Sequence, residues 1–216
     1  MTKERPEGAV RGPYRSGLRR RQLIIEQASA VFAERGYPGG SLRLIAGRVG
    51  ASPASLIHHF GSKEGLLMAV LDDWETQTVK HTNAEHTGLA FFEHLGDLMR
   101  FHLAHPGLLE LFLTLATEAT LADHPARAFI EQRYAKIEEL WASHLRQARQ
   151  RGELRLDDAG IEREVRLLAA VADGLELQWL LDRRIDLVGT FEAYLTQAIS
   201  RWTAPADGDQ ACAGST

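Results

Sequence analysis

The sequence predicts an all-α protein: a small N-terminal three-helix unit followed by a larger helical domain, about nine helices altogether. Two observations predict it. Apolar residues recur at intervals of three and four along most of the chain, while alternating runs of Val, Ile or Thr are absent. Proline is scarce between residues 18 and 202 and stands where helices begin or end. A chain of 216 residues, 44% hydrophobic and 25% charged, buries a real core without a disulfide or metal staple.

Residues 1–17 carry Gly, Pro, Arg and Ser without periodicity and read as a disordered basic arm; residues 203–216 read as a disordered tail. The first helix is expected from Arg19 to Arg35, with Ile24, Ala28, Val31 and Phe32 on one face and Gly36 as its stop. Ser41 caps a short second helix, Leu42 to Val49, whose inward face is Leu42, Ile45, Ala46 and Val49. After a Gly50-Ala51 turn, Ser52 caps a third helix from Pro53 to His59, with Leu56 and Phe60 inward. Ser62-Lys63-Glu64 open a fourth that continues past residue 70. Further helices are expected near 88–104, 107–121, 125–151, 159–183 and 187–202, with Pro106 and Pro125 at two of the boundaries. This divides the chain into an N-terminal domain over 18–78 and a helical domain over 79–202.

Composition excludes several classes. The one cysteine, Cys212, rules out a disulfide framework or a thiolate-rich zinc site and fits a reducing, cytoplasmic compartment. The N-terminus has no apolar core and is not a signal peptide. The longest apolar stretches, Leu108–Ala116 and Leu167–Ala172, fall short of the roughly 18 residues a membrane span needs. Charge is unevenly placed: residues 1–63 hold 11 Lys/Arg against 4 Asp/Glu, and the remainder 14 against 25. A basic first third on an acidic body suits a chain that offers one end to a polyanion, or simply carries a basic arm.

Two short helices joined by a Gly-containing turn form a helix-turn-helix, or a plain helical hairpin inside a bundle. Its inward residues are apolar and its outward ones, Arg43, Arg48, Ser55, His58 and His59, are small, polar or basic, as entry into a major groove about 12 Å wide requires. The segment RQLIIEQASAVFAERGYPGGSLRLIAGRVGASPASLIHHFGSKEGLL resembles the N-terminal domain of TetR-family transcriptional regulators. The resemblance lies in Ala28, Phe32, Gly36 and Tyr37, in Ile45-Ala46, in Gly50 and Ser52, in Leu56, His59 and Phe60, and in Ser62, Lys63, Glu64 and Leu66. It implies that Ser41 and Arg43 meet phosphates at the groove edge. It implies also that Ser52, Ala54, Ser55, Ile57, His58 and His59 face the DNA, and that Lys63 stands beside a phosphate at the start of the fourth helix. Two positions depart from the family pattern: Ile57, where an aromatic with a hydroxyl is common, and Leu44, where an acid is common.

Residues 88–183 carry many leucines and aromatics, which fill a core or line a cavity for a small-molecule effector. Phe112, Thr114, Thr117, Glu118, Trp141 and Gln178 are the candidates for such a site. Leu167, Leu168, Val171, Leu175 and Trp179 form an apolar stripe, either intramolecular core or, as the resemblance implies, a homodimer interface through about 159–202. Metal binding is not expected: His58 and His59 splay by about 100° on a helix. No Glu stands three residues before any of the 9 histidines. Nucleophile elbow, phosphate loop, dinucleotide fingerprint and H-E-x-x-H are all absent, and no catalytic residue or cofactor is expected. The expectation is a ligand-responsive, homodimeric repressor on an inverted-repeat operator in double-stranded DNA. The alternatives are a helical small-molecule-binding or protein-interaction module whose helix-turn-helix does not read DNA sequence, and an enzyme using the apolar cavity.

Overall fold

The computed structural model describes residues 13–81, 85–124 and 126–203. Among them the chain forms ten helices and no strand. In chain order these are α1 (Pro13–Gly39), α2 (Leu42–Arg48), α3 (Pro53–Phe60), α4 (Lys63–His81) and α5 (Leu89–Glu93), then α6 (Gly96–Ala104), α7 (Pro106–Glu118), α8 (Arg127–Gln150), α9 (Asp158–Leu181) and α10 (Leu187–Thr203). None is long and apolar enough to cross a membrane.

Three differences from the sequence reading have physical causes. α1 begins at Pro13, so residues 13–17, expected in the arm, are helical; a proline in the first turn lacks only an N–H that has no helical partner anyway. The rest of the expected arm, 1–12, and the tail from 204 lie outside the described residues, while Thr203 ends α10. The helix expected over 88–104 is two, α5 and α6. Between them the ladder tightens, with His94 N–H donating to the Phe91 carbonyl (3.3 Å) and Leu98 N–H to that of Leu95 (3.1 Å). Gly96 follows, with the Glu192 carboxylate of α10 standing where its Cβ would be.

The chain forms two compact units that meet between Val70 and Leu71, inside α4 rather than at residue 78. Loop composition marks the end of a helix, but packing changes along it: Leu66, Leu67 and Val70 are buried in the first unit, and Trp74 packs on Phe101 and His102 in the second. The first unit closes α1, α2 and α3 around Ile24, Ala28, Val31, Phe32, Ile45 and Leu56, all fully buried. The second packs α5, α6, α8, α9 and α10 around Phe92, Leu95, Met99, Leu145, Phe191 and Trp202; each such side chain contributes about 1.5–3 kcal/mol.

The α9 stripe is mostly intramolecular. Leu168 and Trp179 are buried in the chain's own core, and Val171 and Leu175 pack against it. α9 instead leaves a second row to solvent at spacings of three and four: Leu167 (46% exposed), Ala170, Gly174, Leu177 (52%) and Leu181 (82%).

Candidate functional site

α2 and α3 are too short to persist alone. Caps and a shared core hold them. Ser41 Oγ accepts from Leu44 N–H and Ser52 Oγ from Ser55 N–H, each at 3.2 Å. The turn between them needs a positive φ at Gly50 (60°), after which Ala51 N–H donates to the Ala46 carbonyl at 2.9 Å. Arg20 Nη2 donates to the Gly50 carbonyl at 3.2 Å, tying α1 to this turn. With Leu56 fully buried as its anchor, α3 turns Ser52, Ala54, Ile57 (48% exposed), His58 and His59 outward, and Ser55 half outward. All six residues expected on the reading face are therefore at least partly accessible.

The basic groups divide. Arg43 is exposed and makes no ion pair among the described residues. Arg48 is forked onto Glu34 at 3.1 and 2.6 Å and is already satisfied. Lys63 lies with its ammonium 4.3 Å from the centre of the Tyr37 ring and 3.5 Å from the Pro38 carbonyl. Tyr37 in turn donates its hydroxyl to Glu64 Oε1 at 2.9 Å. Burial, then this carboxylate, push the phenol up to about 12. Glu64 is held below the usual carboxylate range by its own backbone N–H, by Ser62 and by Tyr37. This Tyr37–Lys63–Glu64 cluster fixes the opening of α4 against the end of α1. The sequence reading gave no role to the Tyr37–Glu64 bond, because 27 residues separate its ends.

A cavity of about 210 Å³ lies among α4, α6, α7, α8 and α9 of the second unit. Its walls are largely apolar, including Leu98, Ile137, Leu140 and Trp141, but ionisable groups from α4, α6, α8 and α9 converge on it. His102 Nδ1 donates to Glu176 Oε1 at 2.5 Å, both side chains being buried, and the imidazole stacks on Trp74 at 5.2 Å. Tyr134 donates its hydroxyl to Asp173 Oδ2 at 2.6 Å. Burial is the main cause that raises both groups, the phenol far above its ordinary value and the Asp173 carboxyl above the usual carboxylate range. Glu75 Oε1 faces Lys136 Nζ at 3.4 Å.

Arg133 differs from these. It is 5% exposed, and its guanidinium lies 4.5 Å from the centre of the Phe112 ring. No carboxylate approaches within ion-pair distance among the described residues, and its Nε is buried with no acceptor. Burial pulls its pKa below the ordinary guanidinium value, opposed at longer range by Glu75, Glu176 and Asp173.

Of the expected effector residues, Phe112 and Trp141 line this cavity. Thr114 and Thr117 do not; they line an adjoining groove that shares Tyr134 and Asp173 with it and includes Gly174 and Leu177 of α9. Glu118 is half exposed and faces His124 at 3.6 Å, and Gln178 is exposed. The cause is helical phase. At about 100° per residue, positions 114, 117 and 118 leave the face on which Phe112 points inward, and 178 leaves that of Asp173 and Glu176. The residues missed were in phase with the core: Arg133 stands between Ile130 and Ile137, and Glu176 between Ala172 and Trp179. A charge standing in an apolar row was the signal.

Comparison with known proteins matches both units. The family model for bacterial regulatory proteins of the tetR family covers residues 24–70. The HTH-type transcriptional regulator UidR of Escherichia coli (strain K12) is 26% identical over 138 residues, 63% of this chain and 70% of that protein. The HTH-type transcriptional repressor AcnR of Corynebacterium diphtheriae is 38% identical over 87 residues, 40% of this chain and 42% of its own. Among solved structures, a transcriptional regulator from Saccharomonospora viridis in complex with choline is similar with a TM-score of 0.69 at 26% identity, covering 85% of this chain and 96% of that one. A capped helix-turn-helix where the family model matches, and a helical domain shared with solved regulators, mark this chain as a DNA-binding transcriptional regulator similar to those of the TetR family.

Proposed function

We propose that the chain works in the cytoplasm as a homodimeric repressor released from an inverted-repeat operator by a small-molecule effector. The observation that carries this is the pairing of an outward-facing reading helix in one unit with a mostly apolar cavity in the other. In this reading Arg43 and Lys63 supply phosphate contacts, while Ser55, Ile57, His58 and His59 meet base edges, with Ser41, Ser52 and Ala54 at the groove margin. The exposed α9 row, Leu167 to Leu181, is the surface for a second copy, and two-fold symmetry of the pair matches two half-sites about 34–36 Å apart. α4 carries Lys63 at its first residue and Glu75 and Thr78 at the cavity. A ligand that reshapes the cavity thus acts on the helix that opens beside the DNA. The coupling is reciprocal, so DNA weakens the effector as the effector weakens DNA. The choline in complex with the relative from Saccharomonospora viridis supports a small organic ligand.

The test is selection of the purified protein on random duplex DNA, followed by a screen for compounds that release the enriched sequence. An enriched inverted repeat supports the reading. Binding without sequence preference favours a module whose helix-turn-helix does not read DNA.

A further inference from the structure

We propose that the ligand of the α4–α9 cavity carries a carboxylate, bound in the fork of Arg133 against the Phe112 ring, with an apolar body lying on Ile137, Leu140 and Trp141. The proposal rests on reading this cavity as the effector site and names the chemistry that fills it.

The argument starts from the cost of the group. An arginine cannot shed its charge inside a protein, and its five donors seek acceptors. A buried ionic group without a partner is strongly unfavourable, and persists where function requires it. The other charged groups around the cavity have partners in the chain: Glu176 takes His102, Asp173 takes Tyr134 and Glu75 takes Lys136. Among the described residues Arg133 has the face of Phe112 and no hydrogen-bond acceptor. The missing partner is planar and anionic, since a carboxylate receives two parallel N–H bonds from the fork. An ammonium ligand meets acids that each already have a partner in the chain, whereas a carboxylate meets a guanidinium with none among the described residues. The apolar walls require that the rest of the ligand be hydrocarbon-like.

The experiment is calorimetric titration of the full chain with hexanoate, cyclohexanecarboxylate and 3-phenylpropionate, each beside its primary amide, and with choline. At least one carboxylate is expected to bind ~10-fold or more tightly than its amide, the scale of a charge-assisted bidentate contact. In Arg133→Met, with helicity and cooperative melting checked, carboxylate and amide become equal. Arg133→Lys keeps the charge but loses the planar fork, and is expected to retain only part of the preference; it decides the matter if the Met variant does not fold. No binding by any of the three acids at millimolar concentration overturns the proposal. So does an amide as tight as its acid, a preference that survives in Arg133→Met, or choline binding more tightly than every acid. Release of operator DNA is measured alongside. A carboxylate that binds through Arg133 yet leaves the DNA complex intact removes the effector-released repressor and leaves the ligand class standing. Release by choline or an amide without carboxylate binding does the reverse.

Discussion

In α2 and α3 the polar side chains stand outside a small apolar core, and each lies within a few residues of the cap or anchor that aims it. Around the cavity, charged side chains of α4, α6, α8 and α9 are turned inward, and each pair there joins different helices. Glu176 and His102 are 74 residues apart in sequence, and Asp173 and Tyr134 are 39 apart. The contrast separates two ways of building a binding surface. Groups left in water cost little to fold, so the reading helix can change its outward residues with small effect on stability. Groups taken out of water must be matched one by one, so the cavity couples recognition to stability wherever it is altered.

The largest effect is expected where the outward surface depends on its core. Leu56→Ala, at a fully buried site, should cost about 2–5 kcal/mol and release α3. Amide hydrogen exchange should then show protection lost over residues 24–70 and kept in α9. Loss in α9 as well would break the comparison by showing the two units to be one cooperative body.

Smaller changes sharpen it. Ser55→Ala or His58→Ala should relax preference at individual operator positions by about 1–3 kcal/mol with an unchanged melting midpoint; uniform weakening with preference intact would show that other residues read the bases. Lys63→Ala should weaken binding evenly across sequences and reduce the slope of log affinity against log salt by about one. An unchanged slope would mean that its ammonium stays on the Tyr37 ring in the complex.

The smallest effect belongs to Asp173. Because burial raises its folded-state pKa above the ordinary 3.8, the folded protein binds the proton more tightly than the unfolded chain. The native protein therefore gains stability as pH falls through the window between the two values, and at pH 7 the ionised carboxylate is a burden. Asp173→Asn should melt slightly higher than wild type at pH 7, with the difference fading below pH 3.8. A lower melting point at neutral pH would show that the charge itself is needed beside Arg133.

Legibility followed the same division. Ser41, Gly50 and Ser52 act through partners at most five residues away, as in the Ala51–Ala46 bond, so local spacing reveals them. The Gly36 stop was legible too, for α1 kinks there. Arg133 and Glu176 act through partners on other helices, and nothing in their own neighbourhood shows which helix faces them. Even so, Phe112 and Trp141 do line the cavity, because large aromatics in phase with a core point inward whatever they meet. Thr114, Thr117, Glu118 and Gln178 were chosen for polarity without regard to phase, and phase takes them away from this cavity.

Ile57 leaves about half of its surface in water on a helix whose other outward residues are polar or small. In water that surface gains nothing. In a major groove the one apolar feature of a base edge is the C5 methyl of thymine. Operator duplexes in which uracil replaces thymine one position at a time keep every hydrogen bond and remove only that methyl. A loss confined to one step of each half-site locates Ile57 on the DNA. 5-Methylcytosine carries the same methyl group, and placed at that step it gives Ile57 the same apolar contact on a different base pair.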